Sequence, residues 1–163
     1  MSSYHPKAKR TNWSTPQWLF DLLHARFKFT LDVCAEKNNA KCRRYFSPKA
    51  NGLEQNWSPH RCWMNPPFGE GIAHWVLKAK NEAYAGALVV CLLPVRSDTF
   101  WWHNYLLQSA HNIYFVRGRL KFDDGPGKCP FPVAVVVFRK GSIKGRLISS
   151  EMIDAVSRRF ECV

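Results

Sequence analysis

Acidic residues are scarce in this chain: 12 Asp and Glu stand against 24 Lys and Arg, for a formal net charge of +12 over 163 residues. That imbalance disfavours a polycationic partner and favours a polyanionic one, of which nucleic acid is the simplest, although a merely soluble basic protein has the same composition. Long apolar runs are missing as well. The longest, residues 87–94, is far below the ~20 residues of a membrane span, and the first residues carry no apolar segment resembling a signal peptide. A cytoplasmic protein is expected. The six cysteines, Cys34, Cys42, Cys62, Cys91, Cys129 and Cys162, form no C-x-x-C pair and no zinc-like Cys/His cluster, so no metal is expected. They read as reduced, mostly packed thiols, with Cys91 a small buried hydrophobe in Leu88-Val89-Val90-Cys91-Leu92-Leu93. Internal repeats and low-complexity tracts are absent too.

What is present is enough for one core, since 46% of residues are hydrophobic. Residues 1–12 form a polar, basic arm with Lys7, Lys9 and Arg10 and no core-facing period, and residues 13–163 read as a single domain. The arm is either a phosphate-contacting segment or an ordinary solvated terminus. Thr15-Pro16 predicts a helix start, with Thr15 as N-cap, Pro16 at the first helical position, and Leu19, Leu22, Leu23 and Phe27 at helical spacing. Residues 29–34 read as a short strand whose end carries Asp32, where open α/β sheets gather ligand contacts. The alternative for Asp32 is a polar residue capping the next turn.

Residues 43–46 read as another short strand, followed by turn formers over 47–52 and a strand over 61–64. Ile72, Trp75, Val76, Ala79 and Ala83 share one helix face, and Gly86 ends that helix before the buried strand 87–93. Ser97 or Asp98 caps a further helix, residues 112–116 and 132–138 are strands joined as a long hairpin, and Met152, Ile153, Val156 and Phe160 predict a closing helix over 149–160. Strands alternate with helices, which is an α/β pattern.

Asn65-Pro66-Pro67-Phe68 stands directly behind the strand 61–64. It admits two readings. One is a strand-ending turn, for which Asn and Pro are common residues. The other is a grip on an aromatic amine such as that of adenine, whose lone pair is delocalised into the ring and is a poor nucleophile. The Asn65 amide oxygen and the Pro66 carbonyl would accept its two N–H hydrogens, favouring a pyramidal nitrogen with its lone pair turned outward. Two prolines stiffen the turn and remove two backbone donors, and Phe68 would stack on the base.

Taken in order, Thr15-Pro16-x-Trp18-Leu19-Phe20, Leu31-Asp32-Val33-Cys34-Ala35, Asn51-Gly52-Leu53-x-x-x-Trp57, Asn65-Pro66-Pro67-Phe68, Trp75-Val76, Leu92-Leu93-Pro94 and Gly118-Arg119-Leu120-x-Phe122 resemble the phage-type DNA N6-adenine methyltransferases. The resemblance runs from Thr15 to Phe138. It implies a compact Rossmann-like S-adenosylmethionine-dependent methyltransferase fold, a mixed sheet flanked by helices, acting in the host-cell cytoplasm if phage- or prophage-encoded. It implies catalysis by Asn65, Pro66, Pro67 and Phe68, and cofactor contacts from Thr15, Pro16, Trp18, Asp32, Ala35, Asn51, Gly52 and Leu53. The reaction it implies is site-specific methyl transfer to adenine N6 in DNA by in-line displacement, on a base flipped out of the duplex. Alongside Lys7, Lys9 and Arg10, the cations Arg117, Arg119, Lys121 and Lys128 are candidate DNA contacts, with a solvated charged loop as the alternative.

Three departures from the family pattern stand out. No glycine-rich turn follows Asp32, so Ala35 serves where glycine is usual. Asn51 replaces an acidic residue, and Phe68 replaces tyrosine, keeping the ring and losing a hydroxyl. Three other functions share features of this chain: a noncatalytic DNA-binding module that retains the fold, an RNA adenine methyltransferase, and a protein glutamine N-methyltransferase.

Overall fold

The computed structural model describes residues 12–125, 127–141, 149 and 151–163. Lys7, Lys9 and Arg10 lie outside them. Two helices and seven strands are built from these residues: α1 (Gln17–Phe27), β1 (Leu31–Asp32), β2 (Arg61–Met64), α2 (Ile72–Tyr84), β3 (Leu88–Pro94), β4 (Asn112–Arg117), β5 (Val133–Phe138), β6 (Glu151–Asp154) and β7 (Arg159–Cys162). The strands form one mixed sheet in the order β1-β2-β3-β5-β4-β6-β7.

Apolar composition decides the middle of that sheet. Every residue of β5 is buried, as is every residue of β3 except Leu88. Continuous apolar runs of this kind suit strands covered on both faces. They pair antiparallel, with Val90 opposite Val137 and Cys91 opposite Val136. On one side β1, β2 and β3 run parallel, so a crossover must join β2 to β3, and α2 is that crossover. It buries Ile72, Val76, Ala79 and Ala83, the face read from their spacing. Gly86, at φ +116, turns the chain out of this helix and into β3. Helix α1 buries Leu19, Phe20 and Leu23 and ends at Lys28, whose left-handed φ of 55° lets its N–H reach the His24 carbonyl.

Four local expectations change. The helix expected over 149–160 is instead the hairpin β6–β7, with Ile153 opposite Phe160, and β6 runs parallel to β4 with Val116 opposite Ile153. Its apolar residues fit a helical period, but a strand sends Ile153 fully into the core and satisfies the backbone groups along β4. Val156 sits at the turn and is 85% exposed, which a core-facing helix residue would not be.

Thr15 does not cap α1. Pro16 takes the N-cap position and the Gln17 N–H is received by Asp123 Oδ2 at 3.1 Å. Residues 43–46 contribute a single bridge, Tyr45 to Asp32, rather than a strand. The helix expected after Ser97 and Asp98 is short and includes a π-helical turn, Trp102–Leu106, preceded by Trp101 and without a side-chain cap. The long hairpin between β4 and β5 forms as expected and is continued by a bridge between Lys121 and Lys128.

Among the described residues no helix is long and apolar enough to cross a membrane, and no three His, Cys, Asp or Glu side chains group closely enough to hold a metal.

Candidate active site

Strands β1 and β2 are in register, Asp32 beside Trp63, so the segments leaving their carboxyl ends open onto the same cleft. Ligands gather in such crevices because loops diverge there. The cleft encloses about 180 Å³, and its lining includes Thr15, Asp32, Ala35, Asn51, Gly52 and Asn65. Five of the residues expected around the cofactor are therefore brought together with the Asn65 amide. Pro16, Trp18 and Leu53 lie outside that lining. Trp18 is instead half-buried near the β6–β7 turn, its ring 5.9 Å from the Arg158 guanidinium.

Asn65 is oriented by its neighbours. Its Nδ2 donates to the Trp13 carbonyl at 2.5 Å and to Thr15 Oγ1 at 2.9 Å. A carbonyl only accepts, so the amide must present its NH₂ to Trp13 and its oxygen the other way. Asn65 Oδ1 is buried and has no hydrogen-bond partner. Leaving a buried acceptor unsatisfied costs about 1–3 kcal/mol, a penalty that a donor reaching this oxygen would relieve. The prolines that follow hold the turn: Pro66 is buried, and Pro67 is exposed at the cleft.

Asp32 is 3% exposed. It accepts the backbone N–H of Lys41 at 3.0 Å and that of Cys34 at 3.4 Å. Burial pushes its carboxyl pKa up to about 6 against the opposing pull of those two N–H groups and the nearby Lys41. The turn-holding reading of Asp32 is met by these bonds, and the same side chain borders the cleft. Burial, with Asp32 close by, also pushes the Cys34 thiol well above its ordinary value, so it is a neutral wall residue.

The Asn51-Gly52-Leu53-x-x-x-Trp57 spacing has a packing cause. Trp57 is fully buried and donates Nε1–H to the Gly52 carbonyl at 2.8 Å. A Cβ on Gly52 would lie 2.1 Å from the Val33 carbonyl oxygen, so only glycine allows this loop to approach the strand end. Asn51 precedes it with a φ of 51°, a left-handed conformation Asn tolerates well.

Phe68 is held edge-on against Phe122 at 6.2 Å and Phe131 at 5.8 Å and is 8% exposed. Trp13 joins this cluster, its ring 5.1 Å from Phe122. Phe68 also borders a second cavity of about 290 Å³ shared with Glu70, Arg96, Thr99 and Trp101. The aromatic turn thus separates two cavities, Pro67 lining one and Phe68 the other.

The cations divide. Arg119, Lys121 and Lys128 are exposed on the loop between β4 and β5. Arg117 is exposed too, but its guanidinium is bound to Asp154, with a further contact to Glu161 at 2.7 Å. Two Asp154 backbone acceptances, from Ser157 and Val156, act with Arg117 to lower that carboxyl to about 2. Sequence reasoning did not single out Trp13, Ser14, Asp123, Asp124 or Arg96. Trp13 and Ser14 help line the cleft, and Arg96 lies over Phe131 at 5.1 Å. Their partners lie far along the chain, and no local pattern marks them.

A family model described as DNA N-6-adenine-methyltransferase (Dam) matches residues 2–150. The DNA N-6-adenine-methyltransferase of Haemophilus phage HP1 (strain HP1c1) is 32% identical over 119 residues, covering 71% of this chain and 68% of that protein. The DNA N-6-adenine-methyltransferase of Escherichia phage T1 is 30% identical over 120 residues, covering 72% of this chain and 50% of that protein. The chain belongs to the DNA N-6-adenine-methyltransferase (Dam) family.

Proposed function

We propose that this protein methylates adenine N6 in DNA by direct in-line displacement, with S-adenosylmethionine as donor and the target base flipped from the duplex. The observation that carries the proposal is the buried, partnerless Oδ1 of Asn65, which faces away from the two groups holding its NH₂. An exocyclic amine supplies the missing donor. Asn65 Oδ1 accepts one N6 hydrogen and the Pro66 carbonyl the other, so electron density returns to nitrogen without a strong base. Phe68, fixed by its aromatic neighbours, supplies a rigid wall against the base.

The cleft residues suit the donor. Asp32 and Asn51 offer polar contacts beside the apolar surface of Ala35 and Trp75, a mixture that fits a ligand with both a charged amino-acid end and an adenosine end. When bound, S-adenosylmethionine supplies an electrophilic methyl group carried on a sulfonium. The sheet, with α1 and β1 bordering that site, is read as a Rossmann-like variant within a single domain. Exposed Arg119, Lys121 and Lys128 meet phosphates, and their attraction helps offset the few kcal/mol needed to unstack the base. We assign the reaction to the cytoplasm.

The experiment is incubation with labelled S-adenosylmethionine and unmethylated DNA, followed by nucleoside analysis. Label in N6-methyladenine is expected. Label in N4-methylcytosine would change the base, label in RNA or protein glutamine would change the substrate class, and calorimetry without S-adenosylmethionine uptake would favour a noncatalytic DNA-binding module.

A further inference from the structure

We propose that Asp124, on the loop between β4 and β5, is a positioning residue that selects which end of the Asn65 amide faces the substrate. Its kinetic consequence rests on the function proposed above, whereas its structural consequence does not.

Two consecutive carboxylates clasp the segment before α1. Asp124 Oδ1 accepts the Ser14 N–H at 2.9 Å, and its Oδ2 accepts the Ser14 hydroxyl at 2.8 Å. The neighbouring Asp123 gives its own N–H to the Ser14 carbonyl at 3.2 Å and receives the Gln17 N–H on Oδ2 at 3.1 Å. Ser14 is thus held by its N–H, its carbonyl and its hydroxyl. The residues on either side of it, Trp13 and Thr15, are the two that hold Asn65.

Those two partners are not equivalent. The Thr15 hydroxyl can accept from Nδ2 or donate to Oδ1, so by itself it is indifferent to a 180° rotation of the amide. The Trp13 carbonyl only accepts and therefore breaks the tie. If Trp13 drifts out of reach, the rotated amide keeps a hydrogen bond to Thr15 and turns its NH₂ toward the substrate. Two donors, NH₂ and amine, then oppose each other, and the grip is lost. Capping α1 requires only Asp123; the bidentate hold of Asp124 on Ser14 fixes the height of the Trp13 carbonyl. The same loop carries Arg119 and Lys121, which places the positioning carboxylate a few residues from the proposed phosphate contacts.

The test uses the full chain, labelled with nitrogen-15. Hydrogen exchange is followed at the Asn65 side-chain NH₂, assigned by its disappearance in Asn65→Asp, and at backbone amides of β3 and β5. In Asp124→Ala, exchange at the Asn65 NH₂ is expected to accelerate on the order of tenfold while the strands stay protected. Turnover at saturating DNA and S-adenosylmethionine is expected to fall about tenfold or more with little change in either KM. Asp124→Asn, which keeps one acceptor, recovers part of both. Ser14→Ala removes only the hydroxyl contact and gives a smaller change in the same direction, deciding the matter if Asp124→Ala does not fold. Unchanged Asn65 exchange in the variants that fold overturns the proposal. So does a uniform rise through β3 and β5, which would make Asp124 a general stabiliser. If the wild-type protein methylates nothing, the proposed function fails, and the exchange data still judge the positioning role.

Discussion

Thr15 Oγ1 lies 2.9 Å from Asn65 Nδ2, two residues 50 positions apart in the chain. Thr15 is 3% exposed, and its hydroxyl is the acceptor for the Asn65 amide and not the cap of the helix it precedes. Replacing it with an isosteric apolar group isolates the contact. Thr15→Val is expected to strand one buried N–H, destabilise the protein by about 1–3 kcal/mol, and lower turnover, while Thr15→Ser keeps most of both. Urea titration and steady-state kinetics check the pair.

Asn65→Ala removes the orphan acceptor itself. Methyl transfer is expected to disappear with DNA affinity largely intact, because the phosphate contacts proposed for the β4–β5 loop do not involve Asn65. Gel-shift titration beside the labelled-donor assay measures the two separately. An active Asn65→Ala enzyme would falsify the proposed grip.

Asp32 makes stability pH-dependent with a definite sign. Its carboxyl, raised by burial to about 6, holds a proton more tightly folded than unfolded. The unfolded group titrates near 3.9, so this contribution is fully favourable below about pH 4 and is lost as pH rises through about 6. The loss is on the order of 2–3 kcal/mol. Asp32→Asn is expected to flatten this part of the profile, seen as wild-type stability falling relative to the variant between about pH 4 and 6 in denaturant titrations. A wild-type profile that rises relative to the variant over that range would reverse the sign.

Arg117 and Lys121 are near in sequence and should behave differently. Arg117 is bound to Asp154 and Glu161, so Arg117→Ala should loosen the β6–β7 hairpin and lower the melting temperature with little effect on DNA affinity. Lys121→Ala should leave melting unchanged, weaken DNA binding, and reduce the salt slope of log K by about 1. Binding isotherms at several salt concentrations distinguish them.

Gly52→Ala should destabilise by about 1–3 kcal/mol through overpacking. The new methyl would meet the Val33 carbonyl at 2.1 Å, a backbone atom with little room to give. If S-adenosylmethionine is the donor, as proposed, it should raise the melting temperature of both proteins, with a lower affinity for the variant where the loop shifts.

The helices α1 and α2 and the strands β2 to β5 were legible because their apolar residues recur at helical spacing or run unbroken between turn formers. The closing hairpin was not. Met152, Ile153, Val156 and Phe160 satisfy a helical period, and what overrides it is the otherwise unpaired edge of β4, 37 residues away in the chain, together with Asp154 capturing Arg117. The cleft was partly legible: Thr15, Asp32, Ala35, Asn51 and Gly52 converge on it, whereas Trp18 belongs to a different surface.

By itself the sequence determined that an amide, two prolines and an aromatic ring would end a buried strand, and that the chain would carry a net positive charge toward its partner. Stiff proline geometry and composition need no distant partner to act. Only the tertiary structure decided which atom of Asn65 is left without a partner, because an amide has two nearly equal ends and the choice falls to acceptors brought from Trp13 and Thr15. Hydrogen-bond direction is a property of the assembled site, and no spacing along the chain encodes it.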